Sequence, residues 1–99
     1  MQATFELEHP VAHIRLQGHF TFEGQRSFRQ ATQEMLATPD FTAIHFDLTD
    51  VESMDSTALG MLLLLHERAA GRPIILHSMR PDIRAMIKIA NTGGIFELR

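Results

Sequence analysis

The chain has 99 residues, 44% of them hydrophobic and 21% charged, with a formal net charge of −3 and no cysteine. A chain of this length buries roughly 60% or somewhat more of its unfolded surface, enough for one core, so residues 1–99 are read as a single globular domain. The acidic balance leaves no footprint for nucleic acid or an anionic membrane, and the lack of cysteine excludes disulfides, thiolate metal sites and thiol redox chemistry. Met1 to Glu6 lacks the basic and apolar segments of a signal peptide, and the longest apolar run, Met61 to Leu65, is too short to span a bilayer. A cytoplasmic protein without membrane insertion is expected.

Taken in order, Thr4 to Glu8 sets Phe5 and Leu7 on one face, and Val11 to Leu16 does the same with Ala12, Ile14 and Leu16. The spacing predicts a hairpin across His9-Pro10, with Gly18 ending its second strand. From Glu23 to Ala37, Phe28, Ala31, Met35 and Leu36 recur at helical spacing, with Arg26, Arg29, Gln33 and Glu34 left for water. Thr38-Pro39-Asp40 stops that helix. A strand follows over Ala43 to Leu48, then an acidic loop, then a helix from about Ser56 to Ala70 closed by Gly71 as its left-handed C′ residue. Ile74-Ile75-Leu76 is continuously apolar, which predicts a strand covered on both faces. Pro81-Asp82 opens a third helix with Ile83, Met86, Ile87 and Ala90 on one side and Arg84 and Lys88 on the other. Asn91-Thr92-Gly93-Gly94 ends it, and Ile95 to Leu98 is a last short strand. The order ββαβαβαβ predicts an α/β fold with a mixed sheet.

The stretch Asp47 to Gly60 organises the rest. Asp55, Ser56 and Thr57 are all N-cap residue types, so Ser56 sits at or beside the positive end of a helix. At about 100° per residue, Ala58, Leu62, Leu65 and Ala69 share one side of that helix. Ser56, Gly60, Leu63 and Glu67 share the other, with Leu64 beside them. If the first set faces the core, the second is an apolar strip of the kind that marks a protein-binding surface. The competing reading is a central helix covered on both sides.

Met54-Asp55-Ser56-Thr57-Ala58-Leu59-Gly60, between a strand and a helix, resembles the D-S-[ST]-[GA]-L-G signature of STAS domains, in particular the bacterial anti-sigma factor antagonists. The resemblance covers nearly the whole chain. It includes Leu16-Gln17-Gly18, Asp47-Leu48, Gly71-Arg72-Pro73 and Asn91-Thr92-Gly93-Gly94-Ile95-Phe96, which is similar to the family's Gly-[LI]-Phe turn. It implies that Ser56 is phosphorylated by a partner that is both anti-sigma factor and serine kinase, that a PP2C-type phosphatase reverses this, and that the unphosphorylated form binds. Thr57 is the secondary hydroxyl. Asp55, Ser56 and Thr57 of the motif, together with Gly60, Leu63, Leu64 and Glu67 of the outer helix side, are the expected partner-binding residues. Two positions depart from the pattern: Thr21 stands where many antagonists have Asp, and the chain ends at Arg99, lacking the usual last helix. Because that helix packs on the sheet in relatives, its absence is expected to leave either an apolar patch or an alternative homodimer surface.

A phosphoryl group would add about −1.5 to −2 charge at pH 7, which a helix N-terminus tolerates while Asp50, Glu52 and Asp55 resist it. The plain alternative for Ser56 is an N-cap contributing about 1 kcal/mol. A second functional reading is a stand-alone STAS subunit of a transporter, docked constitutively on an ATPase subunit. An enzyme is not expected: Met54 and Ala58 stand where a G-x-S-x-G elbow needs glycines, and no His is placed as a base. His9, His13, His19, His45, His66 and His77 show no zinc-binding spacing, and His13, His45 and His77 are read as structural strand residues. Gly93-Gly94 follows a helix rather than opening one, so no cofactor or metal is expected.

Overall fold

A computed structural model describes every residue except Thr92, so that one position of the predicted Asn91-to-Gly94 turn lies outside the described residues. Among the described residues, five strands and three α-helices follow one another in the expected order: β1 (Gln2–Glu8), β2 (Val11–Phe20), α1 (Gln25–Leu36), β3 (Ala43–Met54), α2 (Ser56–Arg68), β4 (Ile74–His77), α3 (Pro81–Ala90) and β5 (Phe96–Leu98), with a 3₁₀ turn at Phe22–Gly24 before α1. The sheet order is β1-β2-β3-β4-β5, with β1 antiparallel to β2 and the remaining pairs parallel.

Strand neighbours in space are also neighbours in sequence, so every parallel connection steps the same way across the sheet. Right-handed crossovers then put all three helices on one face. The burial agrees: Phe28 and Met35 of α1, Ala58, Leu62 and Leu65 of α2, and Ile83 and Ile87 of α3 share one core with Ile14, Leu16, Ile44, Phe46, Leu48, Ile74 and Leu76. Fully burying each of these aliphatic or aromatic side chains contributes about 1.5–3 kcal/mol before the entropy of ordering is subtracted. The opposite face carries a row that runs Glu6, His13, His45, Ile75, Glu97 across the five strands by register.

Several local expectations are corrected. Gly18 does not end β2. It adopts φ +99°, the ladder shifts register beside it, and the strand continues to Phe20. This is the behaviour of a glycine in a bulge rather than at a terminus. The acidic segment after Leu48 is not a loop either, because β3 runs on to Met54, pairing Gln17 with Asp50, Gly18 with Val51 and Phe20 with Met54. Beyond the Asp47–His77 pair this part of β3 has a neighbour on one side only, so Asp50 and Glu52 can sit on a strand edge in water. The left-handed residue after the Ala69 C-cap of α2 is Ala70, with Gly71 also at positive φ. Ile74, Ile75 and Leu76 are all buried as expected, but Ile75 stands apart from the core shared with the helices, on the other face of the sheet. On α3, Ile83 and Ile87 face the core, whereas Ala90, at the helix end, is exposed.

Candidate functional site

The extension of β3 fixes where α2 begins. The chain stays extended to Asp55 (φ −121°, ψ −179°), whose own N–H donates to the Phe20 carbonyl at 3.4 Å, tying this corner to the end of β2. Asp55 is the N-cap: its carboxylate accepts from the Ala58 N–H at 3.0 Å. Of the three candidate cap residues, Asp55 therefore takes the role, and Ser56 becomes the first helical residue with its hydroxyl outside the cap. Ser56 and Thr57 are both exposed.

The helix phase follows the expected division. Ala58, Leu62 and Ala69 are fully buried and Leu65 nearly so, while Gly60 and Glu67 are exposed and Leu63 and Leu64 retain 39% and 47% of their accessible surface. Asp55 to Thr57 at the head, with Gly60, Leu63, Leu64 and Glu67 below, thus form one continuous outer face, and no element among the described residues covers it. The reading of α2 as a helix covered on both sides is thereby removed. Gly60 sharpens the point, because a Cβ built there meets nothing within 4 Å. Internal packing gives no reason for a glycine that weakens an exposed helix by about 1 kcal/mol relative to Ala.

Along the β2–β3 pair that leads into α2 the charge is mixed. Asp50 is paired with Arg15, Glu52 lies 3.3 Å from the His19 imidazole, His19 Nδ1 and the Ser53 hydroxyl share a hydrogen bond of 2.7 Å, and Arg80 donates to the Glu52 carbonyl at 3.4 Å. Thr21 precedes the 3₁₀ turn without a side-chain cap bond. The sequence reading missed Phe22, which is 64% exposed. The pairing of Phe20 with Met54 brings Phe22 to the same end of the sheet as Ser56. Its signal was present as an aromatic residue just past a strand, but only the extended β2 reveals its position.

The histidines of the open sheet face lie on three neighbouring strands, with ring centroids 5.5 Å apart for His13 and His45 and 4.8 Å for His45 and His77. His45 Nδ1 and His77 Nε2 are 2.6 Å apart, so one nitrogen donates and the other accepts. Burial, then the nearby His77 and His13, push the His45 imidazole below its ordinary value. Asp47 is held low chiefly by the hydrogen bond from the Thr49 hydroxyl. Among the described residues, no three His, Asp or Glu side chains are arranged to hold a metal ion.

A five-stranded mixed sheet with three helices on one face, and a D-S-T corner opening the second of them, defines a STAS-type α/β domain. The family model described as "Mlab, STAS domain" matches residues 3–98, and the chain belongs to the STAS family. A STAS-domain containing protein of Pseudomonas aeruginosa (strain UCBPP-PA14) is 36% identical over 87 residues, spanning 86% of this chain and 84% of that one. Among solved structures, a putative anti-sigma factor antagonist of Thermotoga maritima aligns with TM-score 0.82 at 19% identity over 97% of this chain and 84% of its own. The unphosphorylated anti-sigma factor antagonist SpoIIAA aligns with TM-score 0.73 at 18% identity, covering 98% and 86%. The phosphorylated form of the Bacillus protein aligns with TM-score 0.72 at 19% identity, covering 98% and 90%. At these identities the structural likeness speaks to the fold. No helix among the described residues is long and apolar enough to cross a membrane.

Proposed function

We propose that this protein is a phosphorylation-switched binding module of the anti-sigma factor antagonist type, with Ser56 as the phosphoacceptor and Thr57 as the secondary hydroxyl. The observation that carries the reading is the freedom of Ser56: it opens α2, it is exposed, and Asp55 has taken the capping role that would otherwise explain it. Unmodified, the outer face of α2 docks on a partner that is both anti-sigma factor and serine kinase. That partner transfers the γ-phosphoryl group of ATP: the Ser56 Oγ–P bond forms, the bond to the bridging oxygen of ADP breaks, and the hydroxyl proton passes to a base on the kinase. A PP2C-type phosphatase restores the hydroxyl by hydrolysis and releases inorganic phosphate. This chain supplies no catalytic group or cofactor to either step, which fits a binding module in the cytoplasm rather than an enzyme.

Phosphorylation would place about −1.5 to −2 charge beside Gly60 and Leu63. A partner seated on that strip would have to strip water from the phosphate without a counter-charge from this chain, so the modified form is released. The solved relative SpoIIAA, known in both phosphorylated and unphosphorylated forms, supports the reading. The test is intact mass after incubation with the cognate kinase and ATP, alongside partner affinity before and after modification. One added phosphate, lost in Ser56→Ala, together with release of the partner, is the expected result. Full modification of Ser56→Ala at another residue overturns the assignment. Tight binding that ignores phosphorylation points instead to constitutive docking on a transporter's ATPase subunit.

A further inference from the structure

Beside the outer face of α2 lies a second feature, a groove between α1 and α2. Its floor is apolar, with Phe28 and Leu65 buried; Met61 and the exposed Leu64 line it from α2, and it carries Arg29 on one helix and Arg68 on the other. Phe28 is held between Phe20 and Phe46, with centroids 5.2 and 5.9 Å away, so the floor is rigid. Thr32 also lines the groove, but its hydroxyl donates to the Phe28 carbonyl at 2.9 Å, so it asks nothing of a ligand. Among the described residues, neither Arg29 nor Arg68 has a carboxylate within salt-bridge distance. Two unpaired guanidinium groups flanking an apolar trough are conspicuous on a chain of net charge −3.

We propose that this groove receives an acidic amphipathic segment of the protein partner, with one large apolar side chain on Leu64 and Met61 and carboxylates about one helical turn away on Arg29 and Arg68. The inference deepens the proposed function by stating the partner's chemistry, and it rests on the reading of α2 as a docking surface. Three observations select this occupant. Leu64 belongs to both the groove and the outer strip, so the two surfaces are continuous. The volume of the groove is about 50 Å³, against roughly 300–1,000 Å³ for a small-molecule site, which suits a single anchoring side chain. The rim charge is positive on two separate helices, and guanidinium groups match carboxylates in bidentate geometry.

The test uses the unmodified full chain with isotope-labelled methyl groups and three synthetic helical peptides. Each peptide carries the same leucine anchor, flanked at i−4 and i+4 by Glu, Gln or Lys. The Glu peptide is expected to shift the methyl resonances of Met61, Leu64 and Leu65. It should bind about tenfold more tightly than the Gln peptide at low salt, the sum expected from two partly exposed charge pairs. In the Arg29→Glu/Arg68→Glu double variant the preference reverses, and the Lys peptide becomes the tighter ligand. If charge reversal unfolds the chain, as circular dichroism would show, Arg29→Gln/Arg68→Gln replaces it and should remove the preference altogether. Equal affinity for all three peptides, shifts that map outside the groove, or no binding of the Glu peptide would overturn the proposal. Because no step involves Ser56 modification, a failed phosphorylation assay leaves this result standing, and a failed peptide assay leaves the switch standing.

Discussion

Replacing Gly60 by Ala should move stability and binding in opposite directions. The position lies within α2, and a Cβ there meets no atom within 4 Å. Alanine is favoured over glycine in an exposed helix interior by about 1 kcal/mol, which for a domain of this size raises the melting temperature by about 4–8 °C. If a partner packs closely on the bare helix backbone, the same methyl is an overpacking defect at the interface, costing about 1–3 kcal/mol, or about 5- to 150-fold in affinity. Thermal unfolding of the free protein and titration calorimetry with the isolated partner measure the two effects separately. A variant that is more stable and binds at wild-type affinity would refute close docking at Gly60. A variant that loses stability would show that something covers this face of α2.

Other perturbations separate core from surface along the same element. Leu64→Glu should leave the fold intact and abolish partner binding by burying an unpaired carboxylate, whereas Leu62→Glu, at a fully buried position, should cost about 3 kcal/mol or more of stability in urea unfolding; a folded Leu64→Glu protein with normal affinity would mean that the partner docks elsewhere. Asp55→Ala removes the cap bond to Ala58 and should cost about 1 kcal/mol, while Asp55→Asn, which can still accept that bond, should recover most of it; equal losses in both would show that charge rather than capping sets the contribution. The His45 imidazole is held below its ordinary value of 6.5 by burial and by His77 and His13, with Arg99 acting the same way and Glu97 opposing them. The unfolded chain therefore binds this proton more readily, so the His45 contribution is fully present above about pH 6.5 and is lost as the pH falls through the lower folded value. Unfolding free energy measured at pH 7.5 and 5.5 should fall less in His45→Gln than in the wild type, and an unchanged slope would count against the assignment.

The order of elements was legible because each helix and strand has its own apolar period, and the phase of α2 followed from four apolar positions that line up only at helical spacing. What stayed hidden depends on pairing rather than period. Asp50 and Glu52 break the alternation of β3, and two register shifts against β2 change which residues face the core, so the run from Thr49 to Met54 resembles an acidic loop until its partner Gln17–Phe20 is seen. Gly18 misleads for a related reason, since the same residue that ends a strand can also bend one. Three cap-forming residues in succession could not be ranked by type. The extended backbone at Asp55 selects it, and that conformation is imposed by the strand before it. Phe22 and the groove between α1 and α2 are products of tertiary packing, invisible to any window along the chain.

The capping result also bears on how a modification at Ser56 would act. The helix N-terminus favours a negative group by about 0.3–1 kcal/mol at an exposed site, and phosphate oxygens could accept from the N–H groups of the first turn that lack intrahelical partners. Asp55 already occupies one of those donors and carries like charge next to the phosphate, with Asp50 and Glu52 on the adjoining strand edge. The gain is small and the repulsion opposes it, so phosphorylation should leave the folded chain nearly unchanged in stability and in shape. The energetic asymmetry then appears only when a partner must exclude water from the strip below. A cap at Ser56 would have coupled modification to fraying of α2. With the cap at Asp55, the charge on Ser56 can change while α2, and the outer face it carries, keeps its place on the sheet.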